Sequence, residues 1–304
     1  MIKINELTSG PQTVIAKIQN INKGTTQTGS PYLSFQVEDS TGMINCKYWD
    51  AVGIELFSGR VYEFEGELSE YNNKPQYIVR EFVEVTDDTI INMFYKSAPA
   101  DAIETKIKIL EFANAIENDD VRLIVKEILS RYENAYFTFP AATQNHHAYI
   151  NGLSYHTHTM LRLADNFLTV YPYLDKSLLY AGIILHDFAK VVELSEARNP
   201  EYTLEGKLVG HLVMGSNIIS TVASELGIES EAVLLLQHLV LSHHGRKEWG
   251  SPQRPQIAEA EALHFIDNID SKFESLRLEF GNVETKSWTK RIPVLDGRSF
   301  YKHN

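Results

Sequence analysis

The sequence changes its apolar period once, near residue 88, and that change commits the chain to two architectures in series. Before it, apolar and polar residues alternate in VIAKIQNI (14–21), PYLSFQVED (31–39), MINCKYWD (43–50), RVYEFEGELSEY (60–71) and PQYIVREFVEV (75–85). A period of two is that of a half-buried strand. NKGTTQTGS, DSTG and YNNKP supply turn chemistry between the runs. Beyond residue 88 the period becomes helical. VRLIVKEILSRY follows Asp120, and five more helices read as SYHTHTMLRLADNFLTV, KSLLYAGIILHDFAK, GHLVMGSNIISTVASEL, SEAVLLLQHLVLSHHG and AEALHFIDNIDSKFESLRLEF. PAATQNHHAYINGLSY (140–155) breaks the pattern before the first of these five. A length of 304 residues suits two domains. The expected layout is a multidomain β + α chain: a barrel over 1–88, a helical linker or start of the helical domain over 89–145, an all-α domain over 146–283 and a tail over 284–304.

Five strands, interrupted after the third by AVGIELF (51–57), predict a small closed barrel with the strand order of an oligonucleotide/oligosaccharide-binding (OB) fold. Its aromatics Tyr32, Phe35, Tyr48, Trp49, Tyr71 and Tyr77 could stack the bases of a single strand or fill the barrel core. Residues 1–88 carry seven basic and thirteen acidic side chains. An electrostatic grip is therefore expected only around Lys17, Lys23 and Lys74, with subunit contact in a homo-oligomer as the other use of the barrel. The tail sets Lys286, Lys290, Arg291, Arg298 and Lys302 among Trp288, Phe300 and Tyr301. That composition fits single-strand binding or a neighbouring subunit equally well.

The net charge of −12 argues against a broad basic surface for nucleic acid. A polyanion must be held locally, by metal or by a small basic patch. Cys46 is the one cysteine, so no disulfide and no thiolate zinc site can form within one chain. No apolar run is long enough to span a membrane, and MIKINELTSGPQ has no signal-peptide core. A cytoplasmic location is expected.

Ten of the eleven histidines fall between His146 and His264. Helical spacing puts His156 on a face with Met160, Leu163 and Phe167, and His186 with Leu179, Ile183 and Lys190. His211 aligns with Gly215, Ile218 and Val222, and His243 with Leu236 and Val240. Asp267 borders the stripe of Leu263, Ile266, Ile269 and Phe273. Any one of these could be a hydrogen-bonded core residue. Five helices each burying such a group would need five separate solutions, because a buried polar group without a partner is costly. One shared metal centre satisfies them together. Imidazole and carboxylate donors suit Mn, Fe, Zn, Co or Ni. Asp187 adjoins His186, and a carboxylate can bridge the paired cations used in phosphoester displacement.

The ordered set H156…H186-D187…D267, with His211 and the His243-His244 pair, resembles the HD superfamily of metal-dependent phosphohydrolases in its two-metal form. An OB-like barrel ahead of such a domain resembles the YhaM family of bacterial 3′→5′ exoribonucleases. The matching stretches are HHAYINGLSYHT (146–157), ILHDFAKVVEL (184–194), YTLEGKLVGH (202–211), LSHHGRKEWGSP (241–252) and HFIDNIDSK (264–272). The resemblance implies a hydrolase acting on single-stranded RNA, with single-stranded DNA as a further candidate. It implies two divalent ions, manganese first and Co, Fe, Ni or Zn as alternatives.

On that basis His156, His186, Asp187 and Asp267 are expected around one ion. His211 and His243 are expected around the second, with Asp187 as the bridge and a catalytic carboxylate. Lys190, one turn after His186, is the second candidate catalytic group, against the alternative of a surface lysine. His244, next to His243 on one helix, is not expected to share its inward face and is expected either to support a ligand from behind or to contact substrate phosphate. His146 and His147, in the break before the first ligand helix, and Arg246 and Lys247, after HHG, are further substrate candidates. Asp270 is expected to support Asp267 from behind. The competing function is a phosphohydrolase of a small nucleotide, which would have no need of a strand-binding barrel.

Overall fold

The computed structural model describes residues 2–143 and 147–304. His146, one of the substrate candidates, lies outside the described residues. The chain divides into two compact units, Met1–Lys96 and Ser97–Asn304.

The first unit is a closed five-stranded barrel built from β1 (Pro11–Thr25), β2 (Pro31–Asp39), β3 (Gly42–Trp49), β4 (Val61–Tyr71) and β5 (Lys74–Glu84). The order around it is β1-β2-β3-β5-β4, with β3 and β5 parallel and the other pairs antiparallel. The long β1 serves both neighbours: Pro11–Lys17 pairs with β4 and Lys17–Thr25 with β2, a register shift between Gln19 and Asn22 bending it. The alternation seen in the sequence turns Leu33, Phe35, Val37, Ile44, Cys46, Phe64, Tyr77 and Val79 inward. Gly66 marks a second register shift; a Cβ there would stand 2.2 Å from the Ile78 carbonyl oxygen. Of the six barrel aromatics, Phe35 and Tyr77 are core, and Tyr48 packs beside Phe82. Tyr32, Trp49 and Tyr71 instead surround Lys47, whose Nζ lies 4.6, 4.6 and 5.5 Å from their ring centres. Lys17, expected as part of a basic grip, is paired with Glu38 at 2.6 Å.

The barrel unit ends eight residues later than the expected boundary of 88. A short helix, α1 (Asp88–Asn92), and the turn after it stay with the barrel, because Lys17 donates to the Phe94 carbonyl and the Tyr95 hydroxyl donates to the Gly59 carbonyl.

The second unit contains α2 (Ala102–Asn114), α3 (Asp119–Arg131), α4 (Glu133–Thr138), α5 (Gly152–Val170), α6 (Lys176–Leu185), α7 (Lys190–Glu193), α8 (Leu204–Val209), α9 (His211–Glu225), α10 (Glu231–Ser242) and α11 (Ala258–Gly281). At its centre is α6, buried from Ser177 to Leu185, as a helix apolar on all sides must be. It packs against α2, α3, α5, α10 and α11. Gly182 permits close approach, since a Cβ there would already lie 3.1 Å from Leu239. From Ser97 on, the described residues up to 145 are the start of the helical domain and not a linker to it. Ile109, Ile124, Ile128 and Tyr136 from α2 to α4 belong to the main core, and the Tyr136 hydroxyl donates to the Ile184 carbonyl at 2.9 Å.

Nor is 284–304 a free tail. β6 (Ser287–Trp288) and β7 (Tyr301–Lys302) pair as a hairpin, with Ile292 and Leu295 buried between them in sequence. Lys302 donates to the carbonyls of Phe280 and Val283, 2.9 Å each, and so neutralises the exposed acceptors at the end of α11. Lys302 is thereby committed within the fold, and not offered to a ligand. Among the described residues no helix is long and apolar enough to cross a membrane.

Candidate metal centre

His156 sits within α5 and Asp267 within α11, as the helical spacing predicts. The other four expected ligands lie at helix ends. KSLLYAGIILHDFAK is not one helix: α6 stops at Leu185, His186 and Asp187 occupy a bend, and Lys190 opens α7. On a continuous helix neighbouring side chains diverge by about 100°. The bend removes that limit and lets His186 and Asp187 face the same space. Gly210, with φ of +77°, turns the chain so that His211 begins α9. α10 stops at Ser242, leaving His243 as its cap.

The same ending corrects the expectation for His244. Released from helical geometry, its ring lies 4.4 Å from that of His243 and 5.5 Å from that of His211, centre to centre. One ligating atom from each of His211, His243 and His244 falls within 4.8 Å of the others.

Each imidazole is held by its outer nitrogen. Nδ1 of His186 donates to the Ile183 carbonyl at 2.7 Å, and Nδ1 of His243 to the Val240 carbonyl at 2.7 Å. Nδ1 of His211 donates to Glu193 at 3.0 Å, Nδ1 of His156 to Asp270 at 2.7 Å, and Nδ1 of His244 to the Trp249 carbonyl at 2.9 Å. This is how proteins orient metal-binding histidines: the fixed Nδ1 proton leaves the Nε2 lone pair pointing inward.

Those Nε2 atoms converge on two carboxylates. His156 Nε2 is 3.3 Å from Asp267 Oδ1 and 3.3 Å from His186 Nε2. His186 Nε2 is 3.5 Å from Asp187 Oδ2. The other oxygen, Asp187 Oδ1, faces His211 Nε2 at 3.2 Å, His243 Nε2 at 3.6 Å and Lys190 Nζ at 3.6 Å. Asp187 thus turns one oxygen to each of two groups. Both Asp187 Oδ1 and His211 Nε2 are buried without a hydrogen bond of acceptable geometry. Orphaned buried atoms are rare and costly, and these two are of the kinds that bind a divalent cation. The donor set, all nitrogen and oxygen, fits such ions.

Charge agrees with this. Burial pushes the Asp187 carboxyl up, but Lys190, His186 and His211 outweigh it and hold it well below the usual carboxylate range. Asp267 is likewise lowered, burial being outweighed first by His156. Burial would lower Lys190, yet Asp187 and Glu193 keep it an ammonium. Its side chain is only 15% exposed and lies beside Asp187, and it is no surface lysine. Burial would also lower His156, but Asp267 and Asp270 raise it to about 10, so the space between the two carboxylates favours positive charge. His243 and His244 are pushed down by burial and by neighbouring imidazoles, and present neutral rings.

Two expectations are corrected behind the donors. Asp270 supports His156, not Asp267: one oxygen accepts from both His156 and His147, at 2.7 Å each. His147, expected to touch substrate, is fully buried. Its Nδ1 lies 2.9 Å from the Tyr149 hydroxyl, which donates to Glu274, itself held by Arg277. A buried polar chain thus runs along α11 to His156. Glu193, buried, accepts from both the backbone and the ring of His211. Glu193, Tyr149 and Glu274 were not singled out in the sequence. Only Glu193 carried a signal, one turn after Lys190 on an otherwise apolar wall. Arg246 and Lys247 are exposed on the turn that follows His244.

Residues 153–272 match the HD domain family, and residues 12–85 match the family described as OB-fold nucleic acid binding domain. The fold and the site therefore define an HD-domain hydrolase of phosphodiester bonds joined to an OB-fold barrel. A curated relative, the 3′-5′ exoribonuclease YhaM of Geobacillus sp. (strain WCH70), is 40% identical over 290 residues, covering 94% of this chain and 90% of its own length. The chain belongs to the YhaM family of 3′→5′ exoribonucleases. Among solved structures, a chain of a replication protein A heterotrimer bound to ssDNA aligns at TM-score 0.23 and 25% identity, over 27% of this chain and 62% of its own. The second OB-fold domain of replication protein A from Methanococcus maripaludis aligns at TM-score 0.24 and 21% identity, over 28% and 95%. Neither likeness is close enough to carry an argument.

Proposed function

We propose that this chain removes nucleotides one at a time from the 3′ end of single-stranded RNA, and of single-stranded DNA as a second substrate, with two divalent ions held across Asp187. His156, His186, Asp187 and Asp267 hold one ion. His211 and His243, with Asp187 as bridge and His244 beside them, hold the other. Manganese is the first candidate and Co, Fe, Ni or Zn the alternatives, since the donors are imidazole and carboxylate without thiolate. The observation that carries this reading is the division of the two Asp187 oxygens between two groups of imidazoles.

Bound divalent ions supply activated water and neutralise phosphate charge. The side chains do the rest. Asp187 stays ionised and holds the two groups in register. Lys190, fixed beside it, places a permanent positive charge where the phosphoryl group becomes more negative in the transition state. Glu193 and Asp270 set the imidazole orientations. On the barrel, the exposed rings of Trp49 and Tyr71 with Tyr32 around Lys47 form a stacking platform with its own cation. This aromatic face takes the place of the Lys17 region as the candidate grip.

A time course on 5′-labelled single-stranded RNA tests the proposal. With manganese it should give a ladder shortening by one nucleotide, and a chelator should stop it. An intact strand, with free nucleotides hydrolysed instead, would contradict it in favour of a small-nucleotide phosphohydrolase.

A further inference from the structure

Directly after the histidine pair, the chain forms the wall of an open cleft of about 600 Å³, lined by Gly245, Arg246, Arg254, Gln256, His264 and Phe265. Its size is that of a site for one nucleotide-sized group. Two hydrogen bonds join it to the metal centre. His264 Nδ1 donates to the His243 carbonyl at 2.8 Å, and His244 Nδ1 donates to the Trp249 carbonyl at 2.9 Å. The wall is not a loose loop. Trp249 and Ser251 donate backbone N–H groups to the Arg246 carbonyl, and the Gln256 N–H donates to His238 Nε2 at 2.9 Å. Gly245, at φ of +77°, passes so close to His264 that a Cβ would lie 2.3 Å from its ring.

Six other arginines among the described residues, Arg60, Arg80, Arg122, Arg131, Arg277 and Arg298, are each paired with a carboxylate, while Arg162 and Arg291 are exposed without one. Arg246 and Arg254 are both exposed, and no carboxylate lies within ion-pair distance of either among the described residues, although Glu248 and Glu261 also border the cleft. The Arg246 guanidinium sits 4.8 Å from the Trp249 ring centre, and that ring is half exposed. In a chain of net charge −12, a guanidinium beside an open indole, with a second guanidinium lining the same cleft, makes a local anion-and-base site.

We propose that this cleft binds the nucleotide adjoining the scissile phosphate of a single-stranded nucleic acid, with Trp249 stacking its base and Arg246 and Arg254 holding its phosphate. The proposal rests on the exonuclease reading above, and names the protein groups that seat the strand at its metal centre. It adds to the residues expected from the sequence Arg254, which lines the cleft, and Trp249, which borders it with its ring centre 6.0 Å from that of the lining residue His264.

The test compares wild type with Trp249→Ala, Arg254→Ala and Arg254→Lys in the full chain with manganese. Two substrates are used: a ten-nucleotide single-stranded RNA, and bis(p-nitrophenyl) phosphate, which is too small to reach both guanidiniums and the indole. Trp249→Ala should raise KM for the RNA by roughly tenfold or more, since base stacking on an aromatic is worth about that factor or above. Its dependence on salt should be unchanged. Arg254→Ala should raise KM too, and should also lower the slope of log KM against log salt by about 0.7, as loss of one single-strand phosphate contact requires. Arg254→Lys should recover the slope. Hydrolysis of the small ester should stay at the wild-type rate in both Arg254 variants. Wild-type KM for RNA in both alanine variants would overturn the proposal. So would an equal fall on both substrates, which would make the cleft a mere support of the metal centre. If wild type hydrolyses the ester and leaves RNA intact, the exonuclease reading itself fails, a result seen in the wild-type arm alone.

Discussion

Asp187 is the residue on which the two donor groups meet, and its neighbours explain how it can be buried and ionised at once. Lys190 compensates its charge, and His186 and His211 face it from two sides. The carboxylates behind the imidazoles matter in the same way. Asp270 and His147 touch no expected ion, yet they fix the His156 ring. Loss of such an outer partner typically weakens metal binding about 10–100-fold. His147→Phe should therefore show that loss in a manganese titration by calorimetry, with the far-UV spectrum unchanged; undiminished affinity would remove His147 from the positioning chain. At this scale the sequence displayed the donors and concealed their supports. His156, His186, His211, His243 and Asp267 stand out because histidine and aspartate are conspicuous on apolar faces. The contacts of Glu193 with His211 and of Tyr149 with Glu274 are tertiary, across 18 and 125 residues of chain. His147 looked like a loop residue because the break in helical pattern around it says nothing of depth.

The elements were legible where period and packing agree, and obscured where a helix stops inside an apolar run. β2 through β5 follow the alternation closely. IILHDFAK has no glycine or proline, so nothing local marks the end of α6, and in LVLSHHG the stop signal, Gly245 with φ of +77°, comes only after both histidines. Those endings are what let adjacent residues share a site. On the barrel, Gly66 is a position where the backbone itself is the constraint. Gly66→Ala would drive a Cβ into the Ile78 carbonyl and should cost about 1–3 kcal/mol, measured by urea unfolding. The barrel also carries a pH signature. Burial pushes the Asp39 carboxyl up, but the Thr41 hydroxyl and the N–H groups of Ile4, Thr41 and Gly42 more than offset it and leave it below its ordinary value. A depressed carboxylate stabilises the fold above its unfolded pKa, about 3.9, and loses that contribution as pH falls through the folded value. The stability gap between wild type and Asp39→Asn should therefore be widest near pH 7 and narrow below about pH 4. A gap that widens on acidification would contradict the assignment.

Among the described residues there are two hydrophobic cores, one in each unit, and the histidine and aspartate groups that could hold a metal ion lie in the helical unit. Calorimetry should accordingly resolve two transitions. A ligand that binds only the folded state, present at about 100 times its Kd, adds about 2.7 kcal/mol. Manganese should raise one transition by roughly 5–10 °C for a unit of this size and leave the other unmoved; a shift of both would show that the units unfold together. The change of period near residue 88 revealed this two-part plan. It placed the boundary early, because α1 is helical by pattern yet held to the barrel by Lys17 and Tyr95. The tail misled by composition: its basic and aromatic residues fold back as a hairpin, with Lys302 closing the end of α11.

The most direct test of the central claim is crystallography of the manganese-soaked protein, with anomalous differences collected at the manganese edge. Two peaks are expected, about 3.5–4 Å apart and one on each oxygen of Asp187, as two-metal phosphodiester centres require. A single peak between His156, His186 and Asp267, with Asp187 Oδ1 still facing His211 alone, would contradict the two-ion centre.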